Sequence, residues 1–165
     1  MDGIGPAEGD PRQLAEAPDI IAQLLALVDG EALSEGRAAR EMADEAQAEI
    51  LQTIHPLPGG GSLAIEPTRA LVAIDVDLGN RGGQDAKRIT RQANMVALGE
   101  AARLLRLKSL GGLVVIDLVG RGHDGTALLN AARTAFAPDN PGVAIGPVGR
   151  FGTMEITIPR RDRPT

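Results

Sequence analysis

Three aspartates end two similar apolar runs of the sequence. Residues 70–77 read ALVAIDVD and residues 112–118 read GLVVIDL, so Asp75, Asp77 and Asp117 all lie where a strand would end. Because side chains alternate along a strand, Asp75 and Asp77 are expected on one face. If the two runs are neighbouring parallel strands, their carboxyl ends meet at one edge of the sheet, and Asp117 lies beside Asp75.

Carboxylates that converge in this way repel one another, and the repulsion raises their pKa values unless a cation lies among them. Magnesium is the simplest cation, because it binds through one or two carboxylates and otherwise through water and phosphate oxygens. The chain has no cysteine, which excludes thiolate sites and favours a hard metal held by oxygen. Such a metal would serve an in-line displacement at phosphorus. The alternative is that aspartate is simply frequent where a strand meets a loop.

The helix that must join the two strands is the clearest of the chain. Residues 85–108 place apolar side chains at helical spacing, and the glycine pair that follows ends the helix. We also predict a short buried helix at 18–28, a second at about 34–54 and a last one at about 126–136. The predicted order α-α-β-β-α-β-α-β-β indicates an α/β domain that contains a strand-helix-strand unit.

Charge divides the chain into two parts. Residues 1–54 carry 12 acidic side chains against 3 arginines, a net charge of −9, whereas residues 55–165 carry 14 basic against 10 acidic, a net charge of +4. We therefore predict an acidic helical segment at 1–54 and an α/β domain at 55–165. The second part could face an anionic partner, although plain solvated surface is the commoner explanation. No membrane-length apolar run or secretory signal is present, so a cytoplasmic location without a membrane partner is expected.

Four basic residues are candidate phosphate contacts. Arg103, Arg106 and Lys108 end the long helix, and Arg150 precedes the last strand. The alternative is that they are solvated and have no such role. The only aromatic residues are Phe136 and Phe151, both expected in the core, so base stacking by this chain is expected to be slight.

Three further features are weaker candidates. The sequence GGGS at 59–62 invites comparison with a phosphate-binding loop, but it lacks the following Lys-Ser/Thr and precedes a strand, which disfavours nucleotide binding. His123, six residues after Asp117, has the near-neutral pKa of a general base but is not included in the catalytic set. His55 is expected to be structural.

Three segments together resemble the catalytic core segment of the ribonuclease E/G family: LPGGGSLAIEPTRALVAIDVD, ARLLRLKSLGGLVVIDL and RFGTMEITIPRRDRP. The resemblance covers about residues 56–163 and implies a DNase I-like subdomain with a mixed β-sheet and flanking helices, here preceded by two N-terminal helices. It implies that Asp75 and Asp117 bind a magnesium ion that activates water to cleave single-stranded RNA internally, leaving a 5′-phosphate. Arg103, Arg106, Lys108 and Arg150 then become candidate RNA contacts.

The sequence also departs from the family pattern. Asp77 stands where the family usually has an asparagine, and a carboxylate cannot donate a hydrogen bond as an amide does. Three outcomes are open: Asp77 is an auxiliary ligand, Asn80 supplies the amide, or activity is weakened.

The family's upstream RNA-binding parts and its zinc-linking cysteine pair have no counterpart in this sequence. We therefore expect weak RNA affinity and a partner that is either an RNA-binding domain outside this chain or a second copy, not joined through zinc. The competing interpretation is a non-catalytic scaffold that binds RNA or a protein through the acidic helices.

Overall fold

A computed structural model describes residues 19–28, 34–79, 85–120, 122 and 124–160. By their contacts these residues form two compact units, divided between Asp44 and Glu45. The predicted division at residues 54 and 55 stays a prediction. In the described ranges, no helix has the length and apolar character needed to cross a membrane.

The first unit contains helix α1, Ile20–Leu27, and the start of helix α2, Gly36–Leu51. Asp19 caps α1, because its side chain accepts a hydrogen bond of 2.7 Å from the backbone N–H of Ala22. The prediction that this helix is buried is wrong, since none of its residues is buried. An apolar composition favours burial, but burial also requires a neighbouring surface, which composition does not supply.

The second unit is built on a mixed six-stranded sheet, which confirms the predicted α/β class. Its strands are β1 Ile54–Pro56, β2 Ser62–Pro67, β3 Val72–Asp77, β4 Gly112–Asp117, β5 Ala144–Ile145 and β6 Thr153–Ile158. Their order in the sheet is β1-β2-β3-β4-β6-β5. Strands β3 and β4 are parallel, and every other neighbouring pair is antiparallel.

Strand β1 was not predicted. Helix α2 was expected to continue to residue 54 but ends at Leu51, and Ile54 begins β1 instead. Pro56 favours extended backbone at His55, within β1, because a proline disfavours helical backbone in the residue before it. The backbone then pairs with β2, where the N–H of Ile65 donates to the carbonyl of Thr53 at 2.9 Å.

Two helices cover one face of the sheet. Helix α3, Ala86–Leu107, makes the predicted crossover from β3 to β4, and α4, Gly125–Ala135, packs beside it. The buried apolar stripe of α3 consists mainly of alanine and leucine, including Ala97, Ala101 and Leu105. Phe136, which follows α4, is 1% exposed and lies in this core, as predicted.

The other face of the sheet is not covered by the part of the chain that the structure describes. Burial alternates along β3 and β4, with Ile74 and Ile116 under the helices and Asp75 and Asp117 exposed on the opposite side. We call this exposed side the open face. It carries Ala64, Glu66, Ala73, Asp75, Asp77, Val115, Asp117 and Glu155.

Candidate active site at the carboxyl ends of β3 and β4

Asp75 and Asp117 lie directly opposite each other. They form the last register pair of the parallel β3–β4 ladder, and both side chains are exposed on the open face. The local reason is that both strands end in Ile-Asp, so the same alternation that buries the isoleucine turns the acid outward. The predicted juxtaposition of these two residues is confirmed.

The surroundings of Asp75 disfavour its charged form. Partial burial of the carboxyl group raises the pKa of Asp75 from its usual value, and the charges of Asp117, Asp77 and Glu66 raise it further. A backbone hydrogen bond from Val76 acts in the opposite direction. A cation bound between the two aspartates would remove this repulsion. Their oxygen donors suit magnesium, so the residues present fit the metal that the sequence indicated.

Asp77 lies on the same face but has a local partner. It pairs with Ser62 of β2, and its Oδ1 accepts a hydrogen bond of 2.9 Å from the backbone N–H of Gly79. Across the described ranges, no group of three or more histidine, aspartate or glutamate side chains is arranged to hold a metal ion. The expected convergence of three carboxylates is therefore not found as a three-ligand site, and the structure presents a pair with Asp77 beside it.

The glycine run at 59–61 forms the turn between β1 and β2. The N–H of Gly60 donates to the carbonyl of Leu57 at 2.8 Å, which closes this turn. Gly61 has a φ of +86°, and a Cβ there would lie 2.3 Å from the carbonyl oxygen of Asp77. Only glycine permits this approach. The run therefore positions β2 against the end of β3, next to the candidate site.

Two further acids of the open face were missed from the sequence. Glu66 lies on β2 opposite Ala73 and, with Asp75 and Asp117, lines a surface depression of about 380 Å³. Glu155 lies on β6 opposite Val115. The position of Glu66 could have been predicted from the length of the β2–β3 hairpin, because the register of a hairpin determines which residues share a face.

Two of the predicted phosphate contacts, Arg106 and Lys108, have hydrogen-bond partners within the fold. The guanidinium of Arg106 donates to Oδ2 of Asp139 at 2.8 Å and to the carbonyl of Ala135 at 3.3 Å, which joins α3 to the end of α4. The ammonium of Lys108 donates to the carbonyls of Ile50 and Gln52, at 2.5 and 2.6 Å. Burial lowers the pKa of Lys108.

These cations also lie away from the aspartates. Arg103 forms an exposed ion pair of 2.9 Å with Glu100 on the same helix. Because α3 begins after β3 and ends before β4, its last turns lie at the amino end of β4, opposite the edge that carries Asp117. The structure does not bring Arg103, Arg106 and Lys108 together with the carboxylate pair, and their contact with RNA stays a prediction.

Basic residues that the sequence reading missed lie nearer the aspartates. Lys87 and Arg91, in the first turns of α3, line a cavity of about 590 Å³ together with Gly120 and Asp124. Gly120 lies three residues after Asp117, so this cavity adjoins the carboxyl end of β4. The guanidinium of Arg91 lies 3.4 Å from the carboxylate of Asp124.

The segment that follows Asp117 is fixed by a buried amide. Asn94 of α3 is 1% exposed. Its Nδ2 donates to the carbonyl of Val119 at 3.0 Å, and its Oδ1 accepts from the N–H of Val119 at 3.1 Å. These two bonds satisfy the backbone N–H and carbonyl of Val119, as a neighbouring strand would, just beyond the end of β4.

Arg150 and Phe151 occupy a turn at the same edge. The prediction that Phe151 is in the core is wrong, since its side chain is 80% exposed. The guanidinium carbon of Arg150 lies 4.7 Å from the centre of the Phe151 ring. The N–H of Gly152 donates to the carbonyl of Gly149 at 3.0 Å, so the two side chains occupy the central positions of a tight turn and point outward.

His55 lies apart from the aspartate pair. His55 is 5% exposed on the covered side of β1. Burial lowers its pKa, and the charge of Lys108 lowers it further. This location agrees with the structural role predicted for it. The candidates His123 and Asn80 lie outside the described residues.

Comparison with known proteins gives one consistent family. A model described as the ribonuclease E/G family matches residues 25–161. Ribonuclease E of Haemophilus influenzae is 40% identical over 108 residues, which is 63% of this chain and 11% of the relative. Ribonuclease E of Escherichia coli is 39% identical over 108 residues, 63% of this chain and 10% of that protein. A chloroplastic ribonuclease E/G-like protein of Arabidopsis thaliana is 36% identical over 122 residues, 70% of this chain and 12% of the relative. The chain thus spans about a tenth of the length of these relatives.

Proposed function

Since the chain belongs to the ribonuclease E/G family, we propose that it acts as the catalytic domain of a magnesium-dependent endoribonuclease. Its substrate is single-stranded RNA, and hydrolysis breaks the bond between phosphorus and the 3′ oxygen, leaving a 5′-phosphate. Water is the proposed nucleophile, because a divalent cation held by two carboxylates makes bound water more acidic.

The observation that carries the proposal is the register pair of Asp75 and Asp117. The two carboxylates are adjacent and exposed, and the charge of Asp117 raises the pKa of Asp75, which is an arrangement that binding a divalent cation relieves. These two residues would hold the magnesium ion, which when bound supplies a polarised phosphoryl oxygen and a more acidic water molecule. Asp77 and Glu66 add negative charge around the pair and so strengthen its preference for a cation.

Phosphate recognition is assigned to the basic residues at the same edge. Lys87 and Arg91 line the cavity that follows β4, and Arg150 lies on the turn before β6. Their charges can hold phosphates on either side of the bond that is cut. The open face itself carries only acids among its charged residues in the described strands, so it repels the RNA backbone in the absence of a cation.

The partners follow from the size of the chain relative to its family. We propose that further RNA-binding surface comes from a domain outside these residues or from a second copy of the chain, without a zinc link. The proposed setting is cytoplasmic RNA processing or decay.

Cleavage of a fluorescent single-stranded RNA tests the proposal. Activity of the parent chain should require magnesium, and Asp75→Asn and Asp117→Asn should each reduce kcat by at least about 100-fold, the scale of losing one charge-stabilising group in an active site. Glu155→Gln is the matched control, because it removes an acid from the same face without touching the pair. An inert parent, or two aspartate variants that cut as fast as the parent, would refute the catalytic assignment and favour the scaffold.

Asp77→Asn separates an auxiliary role from a ligand role. The variant keeps the oxygen that accepts from the N–H of Gly79 and removes one charge beside Asp75. We expect less than about a 10-fold change in kcat with a rise in the magnesium concentration at half-maximal activity. A loss as large as that of Asp117→Asn would identify Asp77 as a ligand instead.

A further inference from the structure

We propose that Phe151, with Arg150 against one face of its ring, stacks an unpaired RNA base beside the carboxylate pair. The inference rests on the proposed function and adds a stacking role for Phe151, which the sequence predicted in the core. It starts from the exposure of Phe151, which at 80% is far above that of Phe136 at 1%, the other aromatic residue of the chain.

The backbone directs this ring outward. Gly149 and Gly152 close the turn through the bond from the N–H of Gly152 to the carbonyl of Gly149, and the N–H of Gly149 donates to the carbonyl of Thr153 at 2.7 Å. Gly152 has a φ of +91°, a conformation that glycine adopts without cost. The turn therefore holds two large side chains away from the core by hydrogen bonds of its own.

The turn is attached to the site. The N–H of Leu118 donates to the carbonyl of Gly152 at 3.1 Å, and Thr153 pairs directly with Asp117 in the β4–β6 ladder. Phe151 therefore lies only two residues before Thr153, the residue opposite Asp117, so the turn adjoins the carboxyl end of β4. A base next to the bond being cut can reach it.

The chemistry of the pair suits a nucleobase. Unpaired bases of RNA stack on aromatic rings and on guanidinium planes, and stacking is tolerant of sequence because every base has a π-face. Arg150 covers one face of the ring at 4.7 Å and can also donate to a phosphate. The other face remains available, because most of the ring is exposed.

A short single-stranded RNA that carries 2-aminopurine at one position after another tests the inference, in magnesium and at low salt, with fluorescence recorded by stopped flow before cleavage proceeds. The full parent chain should quench one position or two adjacent ones. Phe151→Ala should abolish the quenching and raise Kd by roughly 5- to 150-fold, the equivalent of the ~1–3 kcal/mol per stacked base. Phe151→Trp should restore both, and Arg150→Ala should have an intermediate effect.

Leu107→Ala is the matched control, because it truncates an exposed apolar side chain at the end of α3, away from the site. Equal quenching by the parent and Phe151→Ala, or none by the parent, would overturn the inference. So would a change of oligomeric mass in Phe151→Ala with unchanged RNA binding, which would make the turn a protein contact. The readout needs no cleavage. Thus loss of quenching in Phe151→Ala supports stacking even if the aspartate variants show that the chain is not a nuclease.

Discussion

Replacing Asn94 by alanine should destabilise the fold and misplace the segment after Asp117. Each of the two hydrogen bonds to Val119 contributes about 0.5–1.5 kcal/mol to the free energy of unfolding. A backbone N–H or carbonyl that loses its partner and is not reached by water costs about 1–3 kcal/mol. Val119 is only partly buried, so water can reach its backbone once the amide is gone. We therefore expect a loss of about 2–4 kcal/mol, a large part of the ~5–15 kcal/mol that stabilises a typical domain.

Urea unfolding measures this loss. With a slope of about 2 kcal/mol per molar urea, the middle of the range of about 1–3 that small proteins show, the midpoint should fall by roughly 1–2 M with little change in slope. At temperatures where the variant remains folded, kcat for RNA should fall by about 10- to 100-fold, because a small displacement of a catalytic group has effects of that size. Gln92→Ala on the exposed side of the same helix is the control.

Asn94→Asp makes the test sharper. The introduced carboxylate keeps the acceptor for the N–H of Val119 but places a second oxygen against its carbonyl. Near pH 7 this variant should be at least as unstable as Asn94→Ala, and part of the loss should be recovered at low pH, where a protonated carboxyl can donate. If Asn94→Ala shifts the midpoint no more than Gln92→Ala, the two bonds do not hold this segment and the reasoning fails.

Two further predictions concern the stability of the fold. Arg106→Met should lower the free energy of unfolding by about 1–3 kcal/mol, because it removes charge-assisted hydrogen bonds that join α3 to the residues after α4. Arg103→Met breaks only an exposed ion pair and should lower it by less than about 1 kcal/mol. Urea midpoints compare them, and equal losses would contradict a structural role for Arg106. For His55, burial and the charge of Lys108 lower the pKa in the folded chain, so below the unfolded pKa of about 6.5 the unfolded chain binds more protons. The free energy of unfolding should therefore decrease as the pH drops from about 6.5 through the lowered pKa of His55. His55→Leu should flatten this pH dependence, measured as unfolding from pH 7 to pH 5. If the free energies of the parent and the variant change in parallel with pH, His55 is not responsible.

Most elements could be predicted from the sequence because their signals are local. Alternation of apolar residues in 70–77 and 112–118 indicated β3 and β4, and a helical stripe with a glycine stop indicated α3. A β-α-β unit can close in essentially one way, so the same signals also predicted the side-by-side placement of Asp75 and Asp117. Strand β1 was missed, since its three residues are too few to show a period.

The environment of each candidate side chain depends on residues far along the chain, and the sequence alone did not show it. Arg106 and Lys108 were plausible phosphate contacts by type, but their partners Asp139 and Gln52 lie more than one element away. Phe151 was expected in the core by composition, yet its exposure is decided by the hydrogen bonds of a glycine turn.

The sequence by itself determined the pair of Ile-Asp strand ends, the helix between them and the absence of thiol ligands. Only the tertiary structure decided what surrounds that pair. Cross-strand register brought Glu66 and Glu155 onto the open face, and the start of α3 brought Lys87 to the same edge. The physical reason is that periodicity along a chain fixes which way a side chain points, whereas long-range pairing fixes what it meets.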